Sequence, residues 1–179
     1  MPGYTYLDHA ATTPMHPESV AAMMPYLSEQ FANPSGSHRF AREARKAIDD
    51  ARELMAEVVG CRPGEVVFTS GGTEADNTAI RGTLARRGGR AVCPAAEHHA
   101  VLECVHRAGG IVVPTTVTGA ADLDALAGAL EQSTDVSVVS VMTVNNEVGT
   151  INDIAGVAQV VRRHAPQAVL HTDAVQAAC

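Results

Sequence analysis

The chain has 179 residues, 46% of them hydrophobic and 18% charged, which suits one domain with a buried core and excludes disorder by composition. A formal net charge of −7 and an aromatic content of 3% argue against nucleic acid, which asks for basic patches and stacking rings. No apolar run reaches the length of a membrane span. From the N-terminus, segment 1–38 is rich in turn formers, with a short helix predicted over Pro17 to Gln30. Segment 39–179 then changes character. Phe40, Ala44, Ala47, Ile48, Ala51, Leu54, Met55, Val58 and Val59 recur at helical spacing, charged residues fill the other face, and Gly60 is a stop.

Strand and helix signals alternate from there. Strands are predicted at 66–69, 91–93, 111–113, 136–142 and 168–171, and helices at 74–87, 98–108, 123–130 and 153–164. Repeated alternation implies an α/β fold, a mainly parallel sheet flanked by helices on both faces. In such sheets ligands bind outside the carboxyl ends of the strands. The segments that follow the predicted strands are SGGTEADN, PAAEHHAV, TVNNEVG and HTDAVQ, all rich in hydrogen-bonding groups.

Each of these turns has two readings. Gly71 and Gly72 tolerate φ > 0 and close backbone approach, and the helix start after them favours an anion, with the Thr73 hydroxyl as a further donor. The same stretch also suits an ordinary cap by Ser70 or Thr73. It is not a Walker loop, since no lysine precedes the Ser/Thr position. His98, at a helix start, can lie on an aromatic ligand, shuttle a proton, or simply cap. Of Asn145 and Asn146, one can face a pocket while the other fixes its loop. A buried Asp173 needs a cation, either a distant arginine or a protonated ring nitrogen.

The start MPGYTYLDHAATTP lacks a charged region followed by an apolar run, so no signal peptide is expected and a cytoplasmic location is. Cys61, Cys93, Cys104 and Cys179 form no CxxC pair and are expected reduced. His98 and His99 near Cys93 and Cys104 lack a recognised ligand spacing, so no metal is expected.

Six stretches in order, YLDHAATTP (6–14), NPSGSH (33–38), FTSGGTEADN (68–77), EHHAVL (97–102), NNEVGTI (145–151) and HTDAVQ (171–176), resemble the NifS/IscS-type cysteine desulfurases of the class V aminotransferase superfamily. The resemblance implies the large domain of a fold type I pyridoxal phosphate enzyme, here incomplete. It also implies release of sulfur from L-cysteine, a homodimer, and room for a sulfur-acceptor scaffold protein in iron-sulfur cluster or thio-cofactor synthesis. By position, Gly72 and Thr73 match the phosphate contacts and His98 the histidine stacked on the pyridine ring with an acid/base role. Asn146 and Gln176 match contacts to the ring hydroxyl, and Asp173 the partner of the ring nitrogen.

The resemblance also implies a cofactor-binding lysine in an HK-type motif beyond HTDAVQ, and later a nucleophilic cysteine on a mobile loop. The only lysine here is Lys46, amid charged neighbours on the polar face of a predicted helix, and Cys179 fits neither role. The expectation is therefore the N-terminal part of such an enzyme, inactive alone. The alternatives are a non-catalytic remnant or partner subunit, or another class V enzyme such as a selenocysteine lyase or aminotransferase.

Overall fold

The computed structural model describes residues 3–177, so Cys179 lies outside the described residues. The chain divides into two compact units, one ending at Phe68 and the other starting at Thr69.

The first unit is helical. Helix α1 spans Pro17–Ser28 and begins with proline, whose missing N–H costs nothing in the first turn. Helix α2 spans Arg39–Val59, with the His38 ring accepting from the Ala41 amide at its start and Gly60 at φ 76° closing it in the left-handed region. A 3-10 turn follows at Pro63–Glu65. The helical spacing of α2 is as expected, but its burial is not: only Ala41, Ala44 and Ala56 are buried, while Phe40, Leu54, Val58 and Val59 stand exposed. The strand expected at 66–69 is absent. Val66 is extended, at φ −90° and ψ 123°, yet Val67 is 75% exposed and no strand lies among the described residues of this unit. β-branched residues favour a pleated ladder only where a neighbour supplies one.

The second unit carries the sheet. Its elements are α3 (Gly72–Arg87), β1 (Arg90–Pro94), α4 (His99–Arg107), β2 (Ile111–Val113), α5 (Leu123–Glu131), β3 (Val136–Ser140), α6 (Ile154–His164) and β4 (Val169–His171). The strand order is β2-β1-β3-β4 and every pairing is parallel, as the alternation predicts. Neighbouring residues of β1 and β3 point to opposite faces. Val92 and Val139 pack with Leu126, Leu130, Val157 and Val161 of α5 and α6. Ala91, Cys93 and Val138 pack with Ile80 of α3 and Val101, Cys104 and Val105 of α4. Both faces are therefore covered, and the apolar run VSVVS is buried throughout.

The entry to β1 depends on a glycine. Gly89 sits at φ +75°, and a Cβ there would strike the Asp135 carbonyl and the Ser137 Oγ. The backbones approach closely because the Arg90 amide donates to the Asp135 carbonyl (2.8 Å) and the Ser137 hydroxyl to that of Gly88 (2.6 Å). Gly82, within α3, has open space around it. In urea denaturation, Gly89→Ala should lower the unfolding free energy by roughly 2–4 kcal/mol, through forced conformation and collision. Gly82→Ala should raise it by about 0.5–1 kcal/mol, the helix-propensity difference.

Candidate functional site

Because all four strands run the same way, their carboxyl ends meet on one side, and the polar turns gather there. The turn before α3 is held by its own residues. Both the amide and the hydroxyl of Ser70 donate to the Glu74 carboxylate (2.7 and 2.6 Å), which these bonds hold below the usual carboxylate range. Ser70 is thus not the cap, and Gly71, the residue at the cap position, supplies no side chain. The N-terminus of α3 has no side-chain cap, so its first amides keep their positive field. Neither Gly71 nor Gly72 lies in the left-handed region; Gly71 is extended at φ 166°. What Gly72 needs is space: a Cβ would lie 3.0 Å from Cγ2 of Val175, in the turn after β4. The two turns are therefore in close contact.

His98 caps α4, its Nδ1 accepting from the Ala100 amide at 3.1 Å. The capping alternative is thus realised, and it sets the tautomer: the neutral ring carries its proton on Nε2. Together with Thr73, Asn77, Arg81 and His99, His98 lines a cleft of about 560 Å³ between α3 and α4. Asn77 bridges the two helices by donating to the Ala100 carbonyl.

The two asparagines divide their work. Asn145 is buried; its Oδ1 accepts from the Glu147 and Val148 amides (2.8 and 2.9 Å) and its Nδ2 donates to the Ala96 carbonyl (2.8 Å). It fixes its own loop and ties it to the turn before His98. Asn146 is half-buried, and its side chain makes no hydrogen bond among the described residues. Asp173 is 8% exposed; its Oδ1 accepts from the Val175 amide and its carbonyl from the Thr143 amide. No arginine or lysine forms an ion pair with it among the described residues. Gln176, half-buried, lies on the same turn.

Sequence reasoning missed three groups in this cluster. Asp76, 4% exposed, shares a face of α3 with buried Ile80, and that i, i+4 pairing was the available signal. Burial, and then the negative charge of Asp173, push its carboxyl up to about 6. Glu97, 7% exposed, is pushed up to about 8 by burial, against a hydrogen bond from the Met142 amide, with Asp173 and Asp76 adding repulsion. His171, on β4, has its Nδ1 2.9 Å from the Ser140 Oγ and its Nε2 3.7 Å from the Asp76 carboxyl, and burial lowers its pKa. Nothing in a one-residue pattern marks Glu97 or His171 as buried; tertiary closure does that. Among the described residues no group of three or more His, Cys, Asp or Glu is arranged to hold a metal ion.

The site thus combines three buried carboxyls, two histidines and an uncapped helix start. This charge balance suits a ligand with a cationic ring and an anionic tail. A family model, aminotransferase class-V, matches residues 5–179. The chain belongs to the class-V aminotransferases. It is 42% identical to the cysteine desulfurase IscS of Dictyoglomus turgidum and 45% identical to an IscS-like cysteine desulfurase of Mycobacterium tuberculosis, each over 96% of this chain. It spans 44% and 46% of those relatives, less than half their length. Among solved structures, a NifS-like protein superposes with a TM-score of 0.89 at 31% identity, over 96% of this chain and 49% of that one. SspA in complex with cysteine superposes with a TM-score of 0.88 at 32% identity, over 97% of this chain and 51% of that one. The expected α/β fold and family resemblance are thereby established for this class-V chain.

The division between the asparagines is testable by chemical denaturation. Asn145→Ala strands two loop amides and the Ala96 carbonyl and should cost roughly 2–4 kcal/mol. Asn146→Ala removes no such bond and should change stability by less than about 0.5 kcal/mol.

Proposed function

We propose that this chain forms the ring-and-phosphate side of a pyridoxal 5'-phosphate site in a cysteine desulfurase. Such an enzyme converts L-cysteine to L-alanine and moves the sulfur to an enzyme cysteine as a persulfide. The observation that carries this reading is Asp173, buried at the strand ends with no lysine or arginine paired with it among the described residues. A buried carboxylate needs a cation, and a protonated ring nitrogen supplies one. The uncapped start of α3 supports an anionic group at Gly72 and Thr73, through backbone amides and the Thr73 hydroxyl.

The remaining residues take roles by their position and chemistry. His98, with its proton on Nε2, offers a ring face and a proton to hold or move at that atom. Asn146 and Gln176 would orient the ring through its hydroxyl. When bound, the cofactor supplies an electron sink for negative charge developing at the α-carbon of an amino acid. The desulfurase names of the relatives and the solved relative in complex with cysteine support L-cysteine as substrate. A cytoplasmic homodimer passing sulfur to an acceptor scaffold protein, for iron-sulfur cluster or thio-cofactor synthesis, fits the same reading. Among the described residues no helix is long and apolar enough to cross a membrane.

Lys46 does not fit the covalent role. It is exposed on α2, and its ammonium bonds the Asp50 carboxylate, which raises its pKa where a nucleophilic amine needs it lowered.

Pyridoxamine 5'-phosphate needs no lysine and is the probe of this site. Its fluorescence should respond to the chain, and Asp173→Asn should weaken binding by at least about tenfold, since a charge-assisted bond is lost. Lys46→Gln should leave binding unchanged. Equal affinity in the Asp173 variant overturns the cofactor reading. Alanine release from cysteine is to be measured on the longest polypeptide that contains this chain and a cofactor-binding lysine. Cofactor-loaded protein that forms no alanine overturns the desulfurase reading.

A further inference from the structure

Glu97 belongs to the same cluster, but none of the roles above uses it. It lies in the turn between β1 and α4, one residue before His98. Its Oε1 accepts from the Met142 amide, just beyond the end of β3, the strand paired with β1. From the same loop Asn145 Nδ2 donates to the Ala96 carbonyl. Two bonds from one side of the sheet thus hold residues 96 and 97, and the chain carries His98 directly from that grip. The other carboxyl oxygen, Oε2, is buried with no hydrogen-bond partner among the described residues. A buried anionic oxygen without a donor is far more costly than a buried neutral acid.

The surroundings push the same way. The charges acting on Glu97 are Asp173, in the turn after β4, and Asp76, on α3, both negative. From β1, the Cys93 thiol faces the same carboxyl, and burial pushes that thiol up to about 12, so it adds no charge near neutrality. His171 on β4 is held toward its neutral form by burial, and His98 heads α4. Among the described residues no arginine or lysine acts on Glu97.

We propose that Glu97 is a positioning residue held as a neutral acid: it clamps the turn that carries His98 to the end of β3 without adding to the negative charge of Asp173 and Asp76. The value of that clamp to catalysis rests on the cofactor reading above; the clamp and the proton do not. The carboxyl is pushed up to about 8, so it remains protonated through the neutral range.

The sign of the linkage follows. A carboxyl whose folded pKa lies above its unfolded value of 4.5 contributes stability that is full below 4.5 and lost as pH rises through about 8. Asp76 acts in the same sense up to about 6, and His171 in the opposite sense near its unfolded value. Comparing Glu97→Gln with the native chain cancels those contributions. Glutamine keeps an acceptor for the Met142 amide and cannot ionise.

The test is urea unfolding of the native chain, Glu97→Gln and Glu97→Ala from about pH 5 to pH 9, with the His98 imidazole followed by NMR. The folding constant of Glu97→Gln relative to native should rise by about tenfold per pH unit between about pH 5 and pH 8, one proton's worth. The His98 signals should stay in place in Glu97→Gln and move in Glu97→Ala. A pH-independent ratio overturns the neutral acid, and His98 signals unmoved in Glu97→Ala overturn the clamp. Should either variant not fold, the native chain labelled with carboxyl carbon-13 glutamate decides. One glutamate titrating near pH 8 supports the proposal, and none titrating above about pH 6 overturns it. Failure of pyridoxamine phosphate to bind bears on the cofactor reading alone and leaves these readouts standing.

Discussion

Parallel strand pairing is the constraint from which the rest of this structure follows. Each of β1, β2, β3 and β4 needs a crossover before the next, and α4, α5 and α6 provide those crossovers. Crossovers cover both faces, so the strands carry apolar residues on both sides, and polar groups are displaced to the strand ends. There the ends of β1, β3 and β4 deliver Glu97 and His98, Asn145 and Asn146, and His171 and Asp173 respectively. The helix that precedes β1 adds its own N-terminus to the same side, with Gly72 against Val175.

The cost of this arrangement is electrostatic. Three carboxyls are buried together, and among the described residues the arginine and lysine ion pairs lie elsewhere, on exposed faces such as Arg39–Glu43 and Arg62–Glu65. A fold selected for stability alone would place an arginine beside Asp173 or replace Asp76 and Glu97 with apolar groups. Buried acids whose pKa values are raised, as at Asp76 and Glu97, fit the binding site proposed above. Glu74 shows the contrast. It is exposed, bonded twice by Ser70 and lowered, and it only shapes the turn.

The fold was legible in the sequence wherever burial was two-sided. VSVVS and IVV have no alternation to misread, and the strands fell at 136–140 and 111–113. VVFT is also rich in β-formers and forms no strand, because β propensity depends on context and no ladder partner for this segment lies among the described residues. The α2 periodicity located the helix but not its buried side, since spacing alone does not say which apolar positions find a partner. At the site, the turn motifs could be located in the sequence, and one of the two asparagines, Asn145, does fix its loop as expected. Asp76, Glu97 and His171 could not be separated from surface polar residues, because their burial is produced by elements far away in the chain. The partner of Glu97, for instance, is 45 residues downstream.

The order of the strands also bears on how the molecule is made. β3 sits between β1 and β4, and β1 between β2 and β3, so the interior of the sheet cannot be completed until the chain has been synthesised past Val136. The Thr143 amide bonds the Asp173 carbonyl and the Val141 amide that of His171, contacts between segments about thirty residues apart. Until β4 emerges from the ribosome, one edge of β3 is open, and Asp76 has neither His171 nor Asp173 beside it. The β1–β3 pairing can therefore form before β4 brings His171 and Asp173 to Asp76.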